Sequence, residues 1–100
     1  MRISIQASAL ADLRAGFRFY ETKERGLGVY FLDSLSSDID SLLVYAGIHS
    51  IHFGRFHRLL SKRFPHAVFY QIKGDGILVR AVLDLRRDPA RIARKLDHLP

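Results

Sequence analysis

Four arginines stand close together near the end of this 100-residue chain: Arg80, Arg86, Arg87 and Arg91. A guanidinium is planar, permanently charged and able to bind both oxygens of a carboxylate or phosphate at once. Arg86 and Arg87 in "AVLDLRRDP" fall just beyond the last strand. A surface bridge from one of them to Asp84 or Asp88 would contribute little to stability. The alternative is a grip on an anionic partner. Arg80 falls within the strand beside Leu78 and Val82, on a face of mixed polarity that also carries Phe69 and Gln71. A charge there requires a counter-group, either an acid of a partner or an internal Asp or Glu.

The histidines offer a second chemistry. His49, His52 and His57 in "HSIHFGRFH" could be zinc ligands, but no Cys or nearby carboxylate completes the set. Metal binding is therefore not expected. His57 and His66 are the only bases that could be proposed for a nuclease, and neither stands in a recognisable catalytic pattern. Tyr70 lies on an apolar strand face and reads as core. "GLG" (26–28) and "KGDG" (73–76) are turn sequences, since neither links a strand to a helix as a phosphate loop does. No cofactor and no catalytic set is expected.

These residues are positioned by elements that periodicity makes visible. "RISIQ" (2–6) alternates as a short strand. Leu10, Leu13, Phe17 and Tyr20 recur at helical spacing and predict a helix over about 8–24, with Ser8 as N-cap. "RGLG" breaks it, with Gly26 and Gly28 turning the chain. Leu32, Leu35, Ile39, Leu42 and Ala46 predict a second helix over about 28–46, ending at Gly47. Two such helices on so short a link form an antiparallel hairpin.

Residues 47–55 lack a period and read as loop, and 56–64 read as a strand. In 67–73, Val68, Tyr70 and Ile72 share one face; in 76–84, Ile77, Val79, Ala81 and Leu83 do. The Gly74-Asp75-Gly76 turn joins them, and the pattern leaves two registers open. Asp88-Pro89 starts a last helix over about 89–98, with Ile92, Leu96 and Leu99 on one side and mostly basic residues on the other. The order is β-α-α-β-β-β-α: an α+β fold in which a small, mainly antiparallel sheet packs on an N-terminal helical hairpin.

One hundred residues form a single domain. Residues 1–50 hold five Lys/Arg against six Asp/Glu, net −1; residues 51–100 hold eleven against four, net +7. This asymmetry points to an acidic partner, nucleic acid or protein. There is no cysteine, no stretch of signal-peptide type and nothing near the roughly 20 apolar residues of a membrane span. A cytoplasmic location is expected.

In order and spacing, residues 3–92 resemble the RelE/ParE superfamily of toxins from bacterial type II toxin–antitoxin systems. The resemblance rests on "ALADLRAGFRFYETKERGLGVYFLDSL" and "RLLSKRFPHAVFYQIKGDGILVRAVLDLRRDP". It implies a toxin silenced by a cognate antitoxin in a hetero-oligomer. One branch, ParE-like, inhibits DNA gyrase, blocks replication and serves in plasmid stabilization. The other, RelE-like, cleaves messenger RNA in the ribosomal A site with Arg, Lys and Tyr or His groups. The nuclease branch commonly has an arginine where this chain has Ala67, and a Tyr or His where it has Ile92. The ParE-like branch is therefore favoured, with no catalytic residue assigned. Arg80, Arg86, Arg87 and Arg91 are expected to contact target or antitoxin, and Phe69 and Leu78 to line the antitoxin groove. The alternatives are a ribonuclease relying on Arg80, Arg86 and His66, or a member that binds antitoxin without toxicity.

Overall fold

Residues 1–100, described by a computed structural model, form β1 (Arg2–Ile5), α1 (Ala7–Lys23), α2 (Leu27–Asp40), α3 (Leu42–Tyr45), β2 (Ile51–His52), β3 (Phe56–Leu60), β4 (His66–Lys73), β5 (Gly76–Asp84) and α4 (Pro89–Asp97). The five strands form one sheet in the order β1-β5-β4-β3-β2. Every neighbouring pair is antiparallel except β1 and β5, which run parallel. The expected α+β fold and element order are observed, with α3 and β2 as additions.

Each addition has a local cause. The predicted helix over 28–46 is divided at Ser41, whose hydroxyl donates to the Asp38 carbonyl at 2.6 Å. That bond competes with the helical ladder and separates α2 from α3. Residues 51–52, expected to be loop, pair with Phe56 and His57 as a two-residue edge strand. β3 ends at Leu60, short of the predicted 64. Ser61 turns away there, its hydroxyl donating to the buried Asp38 carboxylate at 2.7 Å.

The Lys73↔Gly76 pair settles the register of the β4–β5 hairpin on a two-residue Gly74-Asp75 loop. Tyr70 pairs with Val79, but Phe69 pairs with Ala81, so Arg80 is an extra residue in β5. Such a bulge inverts the side-chain alternation beyond it. Ile77 and Val79 face the helical hairpin together with Val82, while Ala81 and Leu83 face the opposite side. The predicted common face of Ile77, Val79, Ala81 and Leu83 is thus corrected by one inserted residue.

The core consequently has two parts. Ala9, Leu13 and Tyr20 of α1 and Phe31, Leu35 and Ile39 of α2 pack on one face of the sheet. On the other, Ile92 and Leu96 of α4 close over Phe56, Ala67, Phe69, Ala81 and Leu83. Phe69 is 0% exposed beneath α4. Its expected place in an open groove is corrected: the chain's own last helix covers that face. The start of α4 is as predicted, with the Asp88 carboxylate accepting from Ala90 N at 3.0 Å and Pro89 in the first turn.

Two glycines turn the α1–α2 hairpin. Gly26 has φ 90°, and a Cβ on Gly28 would lie 2.7 Å from the Phe17 carbonyl oxygen. The Glu21 carboxylate accepts from both of their N–H groups, placing an acid at the start of α2, where the helix dipole favours it. Gly16, inside α1, has a different reason. A Cβ there would come 2.4 Å from the ring of the fully buried Phe31. Gly to Ala within a helix ordinarily gains about 1 kcal/mol, whereas overpacking costs about 1–3 kcal/mol. Gly16→Ala is therefore expected to lower stability in urea unfolding, and a higher midpoint would show that Phe31 yields freely.

Candidate functional site

β1 ends at Ile5, opposite Val79, and leaves the rest of the outer edge of β5 without a strand neighbour. The start of α1 occupies this edge. Gln6 N donates to Val79 O at 3.0 Å, the Ser8 hydroxyl to Arg80 O at 2.6 Å, and Val82 N to the Asp12 carboxylate at 2.9 Å. Ser8 and Asp12 are one helical turn apart, so both reach the same strand. Ser8, predicted as the N-cap, lies instead inside α1; Gln6 holds the cap position without a side-chain bond. The bulge at Arg80 presents a carbonyl that draws the serine hydroxyl away from the helix end.

Two clefts open along β5, lined by residues of α1 and α4. The larger, about 410 Å³, is lined by Arg91, Arg94, Lys95 and His98 of α4 facing Ser8 and Asp12. The smaller, about 140 Å³, continues past Asp12, Leu83 and Lys95 toward Phe19, Tyr20, His66, Asp84 and Arg87. Two polar atoms of its lining residues, Tyr20 Oη and His66 Nδ1, are buried without a hydrogen-bond partner. Their residues are 9% and 7% exposed. An unpaired buried polar group costs about 1–3 kcal/mol.

Burial shapes the ionisation of this region. It pushes the Asp12 carboxyl up, against the Val82 N–H bond and the charges of Lys95 and Arg87. It raises the Tyr20 phenol, which lies near Arg86 and Asp84. Burial holds His66 below its ordinary 6.5; Asp84 opposes this, while Arg86 and Arg87 add to it. Asp84 is held low, first by the Arg86 guanidinium.

The arginines singled out by sequence divide into three situations. Arg80 donates to Gln71 Oε1 at 2.7 Å and to the main-chain oxygen of Pro100, so its internal partners are an amide oxygen and a main-chain oxygen rather than an Asp or Glu side chain. Arg86 is 60% exposed and pairs with Asp84 through Nη2–Oδ2 at 2.7 Å and Nε–Oδ1 at 3.1 Å. Arg87 and Arg91 are exposed, line the two clefts and pair with no acid. Of the sixteen Lys and Arg side chains, Arg86 alone forms an ion pair within the chain. Leu78 is half-buried and remains reachable.

The histidines of 49–57 do not converge. His49 Nδ1 bonds the Tyr70 hydroxyl, His57 Nδ1 donates to His49 O at 2.7 Å, and His52 Nε2 meets Ser50 Oγ at 2.9 Å. Tyr70 is fully buried and its hydroxyl also accepts from Gly47 N at 2.9 Å, so it is a core residue with a satisfied polar end. Sequence reading missed Ser8, Asp12, Tyr20 and Lys95 as parts of one groove. The Ser8–Asp12 spacing was the available signal, but it identifies no strand for those side chains to meet.

No family model matches the sequence, and no curated protein is similar to it in sequence. Among solved structures, a chain of the chromosomal ParDE TA system from P. aeruginosa matches with a TM-score of 0.76 at 17% sequence identity. The match covers 82% of this chain and 92% of that one. The two chains share a fold: an α+β sheet with a helical hairpin on one face. No helix is long and apolar enough to cross a membrane.

The depressed pKa of His66 gives stability a pH dependence of definite sign. The folded protein binds this proton less readily than the unfolded chain. The contribution is therefore present above about pH 6.5 and lost as pH falls toward the folded value. His49, lowered by burial and by His57, acts in the same direction. Asp12, raised by burial, acts in the opposite one, losing stability as pH rises through its folded pKa. Thermal melts should show stability falling from pH 7.5 to pH 5, and His66→Phe should flatten that fall. An unchanged slope in the variant would assign the acid loss elsewhere.

Proposed function

We propose that this chain is the toxin of a ParE-like toxin–antitoxin pair. In this reading it acts stoichiometrically on DNA gyrase in the cytoplasm, blocks replication and is neutralised by a cognate antitoxin in a hetero-oligomer. The shared fold, at a TM-score of 0.76 over most of both chains, is the observation that carries the reading. The charge distribution supports an acidic partner. The C-terminal half has a net charge of +7, and only Arg86 among the basic side chains is neutralised internally. Gyrase enters through the family resemblance in order and spacing.

The ribonuclease alternative requires Arg80, Arg86 and His66 to act together. His66 pairs with Asp84 across the hairpin, four positions along β5 from Arg80. Arg80 reaches Gln71 on the α4 side of the sheet, whereas His66 packs against Phe31 on the hairpin side, so the two side chains lie on opposite faces. Arg80 is also engaged by Gln71 and Pro100. The geometry favours a binding surface over a nuclease centre.

Expression without antitoxin is expected to filament cells and induce the DNA-damage response while messenger RNA stays intact. Primer extension showing codon-position cuts in translated messages would reverse the assignment. The Arg86→Ala/Arg87→Ala double variant should melt like wild type yet lose toxicity or antitoxin affinity, because both side chains are exposed beyond the end of β5. Full toxicity with full neutralisation would place the gripping surface elsewhere. A collapsed melt would make the pair part of the scaffold.

A further inference from the structure

From Ser41 to Gly54 the chain carries no Lys, Arg, Asp or Glu, in a protein of net charge +6. Six residues of this stretch are large, apolar and exposed. Val44 is 76% exposed and Ile48 73%; Leu43, Tyr45, Ile51 and Phe53 lie between 45% and 59%. Single exposed hydrophobes are ordinary, but a run of this density marks a surface with a use. The stretch is not loose. Gly47 N donates to the Tyr70 hydroxyl at 2.9 Å, His49 Nδ1 bonds the same hydroxyl, and His57 Nδ1 donates to His49 O at 2.7 Å. Ile51 pairs with His57 in the sheet. These ties hold the apolar side chains outward on a fixed surface and prevent them from folding into the core.

Charge and area select the occupant. An acidic protein or a nucleic acid would find no cation in this stretch. Copies of this +6 chain repel one another elsewhere, so the uncharged stretch is where two of them can meet at least cost. The sheet also ends here: β2 is its last strand, and past the pairs with Phe56 and His57 the outer edge of β3 continues through Leu59 and Leu60 without a strand neighbour. Strand edges are commonly guarded by Lys or Pro, and here the shortness of β2 is the only guard. An apolar patch beside an open edge is self-complementary, as a two-fold contact requires. At roughly 100 Å² for each side chain, the six present about 600 Å², the upper end for the largest apolar patch of a monomer. A standard interface buries about 800 Å² per partner, so the patch with its adjoining edge suits a weak, reversible dimer.

We propose that two copies of this chain associate about a two-fold axis through α3, the connection that follows it and β2, with Val44 and Ile48 buried in the contact. The clefts beside α4 border β5, two strands away from β3 and its open edge, and the contact leaves them free. The inference goes beyond the toxin reading and does not depend on it.

The test is sedimentation velocity of the full chain between about 10 µM and about 1 mM, the range in which contacts of this size associate. A concentration-dependent shift from monomer to dimer is expected. It should strengthen as salt rises from about 0.01 M to about 1 M, because the screening length falls from about 30 Å to about 3 Å and the repulsion between +6 copies is removed. Val44→Lys/Ile48→Lys changes two exposed side chains and should melt like wild type, yet raise the dimer dissociation constant at least about tenfold by placing charge in the contact. Val29→Lys, at an exposed position of α2, should leave the dimer unchanged. Amide hydrogen exchange of wild type gives a second reading: exchange over 43–53 should slow as concentration rises while that of α1 stays constant. If the double variant fails to fold, this measurement decides. A monomer at every concentration, association that weakens with salt, or association that the double variant leaves intact would overturn the proposal. So would equal loss in Val29→Lys. A chain that stays monomeric but is retained on phosphatidylcholine vesicles would assign the patch to a lipid surface instead.

Discussion

Arg80 stands in β5 with no partner in β4, between Val79, which pairs with Tyr70, and Ala81, which pairs with Phe69. That one-residue insertion exchanges the two faces of the strand for the rest of its length. Val82 is carried to the helical hairpin, and Ala81 and Leu83 to α4. Both layers of the core depend on this shift. Without it, Ala81 and Leu83 would join the hairpin side, and Arg80 and Val82 would take their place beneath α4 beside Phe69 and Ala67. The bulge also turns the Arg80 carbonyl outward to the Ser8 hydroxyl, which fixes how the start of α1 meets the sheet.

An open strand edge presents unpaired backbone groups and invites association. Here β1 covers the first part of β5, and the side chains of Ser8 and Asp12 cover the next. This side-chain covering holds the start of α1 against β5. The clefts lie between α1 and α4 along that strand. Their acids and bases are therefore set by which turns of α1 and α4 face them. Asp12 has two tasks that pull against each other: it must lie buried to reach Val82 N, and burial disfavours its charge. The Val82 N–H bond, and after it the charges of Lys95 and Arg87, offset part of that penalty.

The same geometry relates stability to function. A chain of 100 residues buries a limited share of its surface. Yet this one leaves nearly all its basic side chains unpaired and keeps two polar atoms of Tyr20 and His66 buried without partners. The buried unpaired atoms oppose folding, whereas the exposed cations are solvated and cost little. Proteins commonly retain such local penalties where another molecule is to bind.

The local elements were legible in the sequence because their signals are local. The 76–84 strand, a hairpin turn within Gly74-Asp75-Gly76 and the Asp88-Pro89 helix start appear within a residue of expectation, though only the structure decides between the two possible loops. So do the ends of the first helix and its reversal at Gly26 and Gly28. The buried role of Tyr70 followed from its strand face. What sequence could not give was the phase of β5 beyond Val79. A bulge has no compositional mark here, and either alternation of Arg80-Ala81-Val82-Leu83 looks amphipathic. Ala81 and Leu83 were therefore assigned to the hairpin side. Independently of the bulge, Phe69 was assigned to an open face that α4 closes, and Ser8 to a helix cap rather than a strand edge. The candidate site was legible only as a run of arginines. Its deeper members, Asp12, Tyr20 and His66, lie far apart in sequence, and only the packing of α1 against β5 brings them together. Charge and periodicity are properties of neighbours along the chain. A cleft is a property of neighbours in space, and the tertiary structure alone decides those.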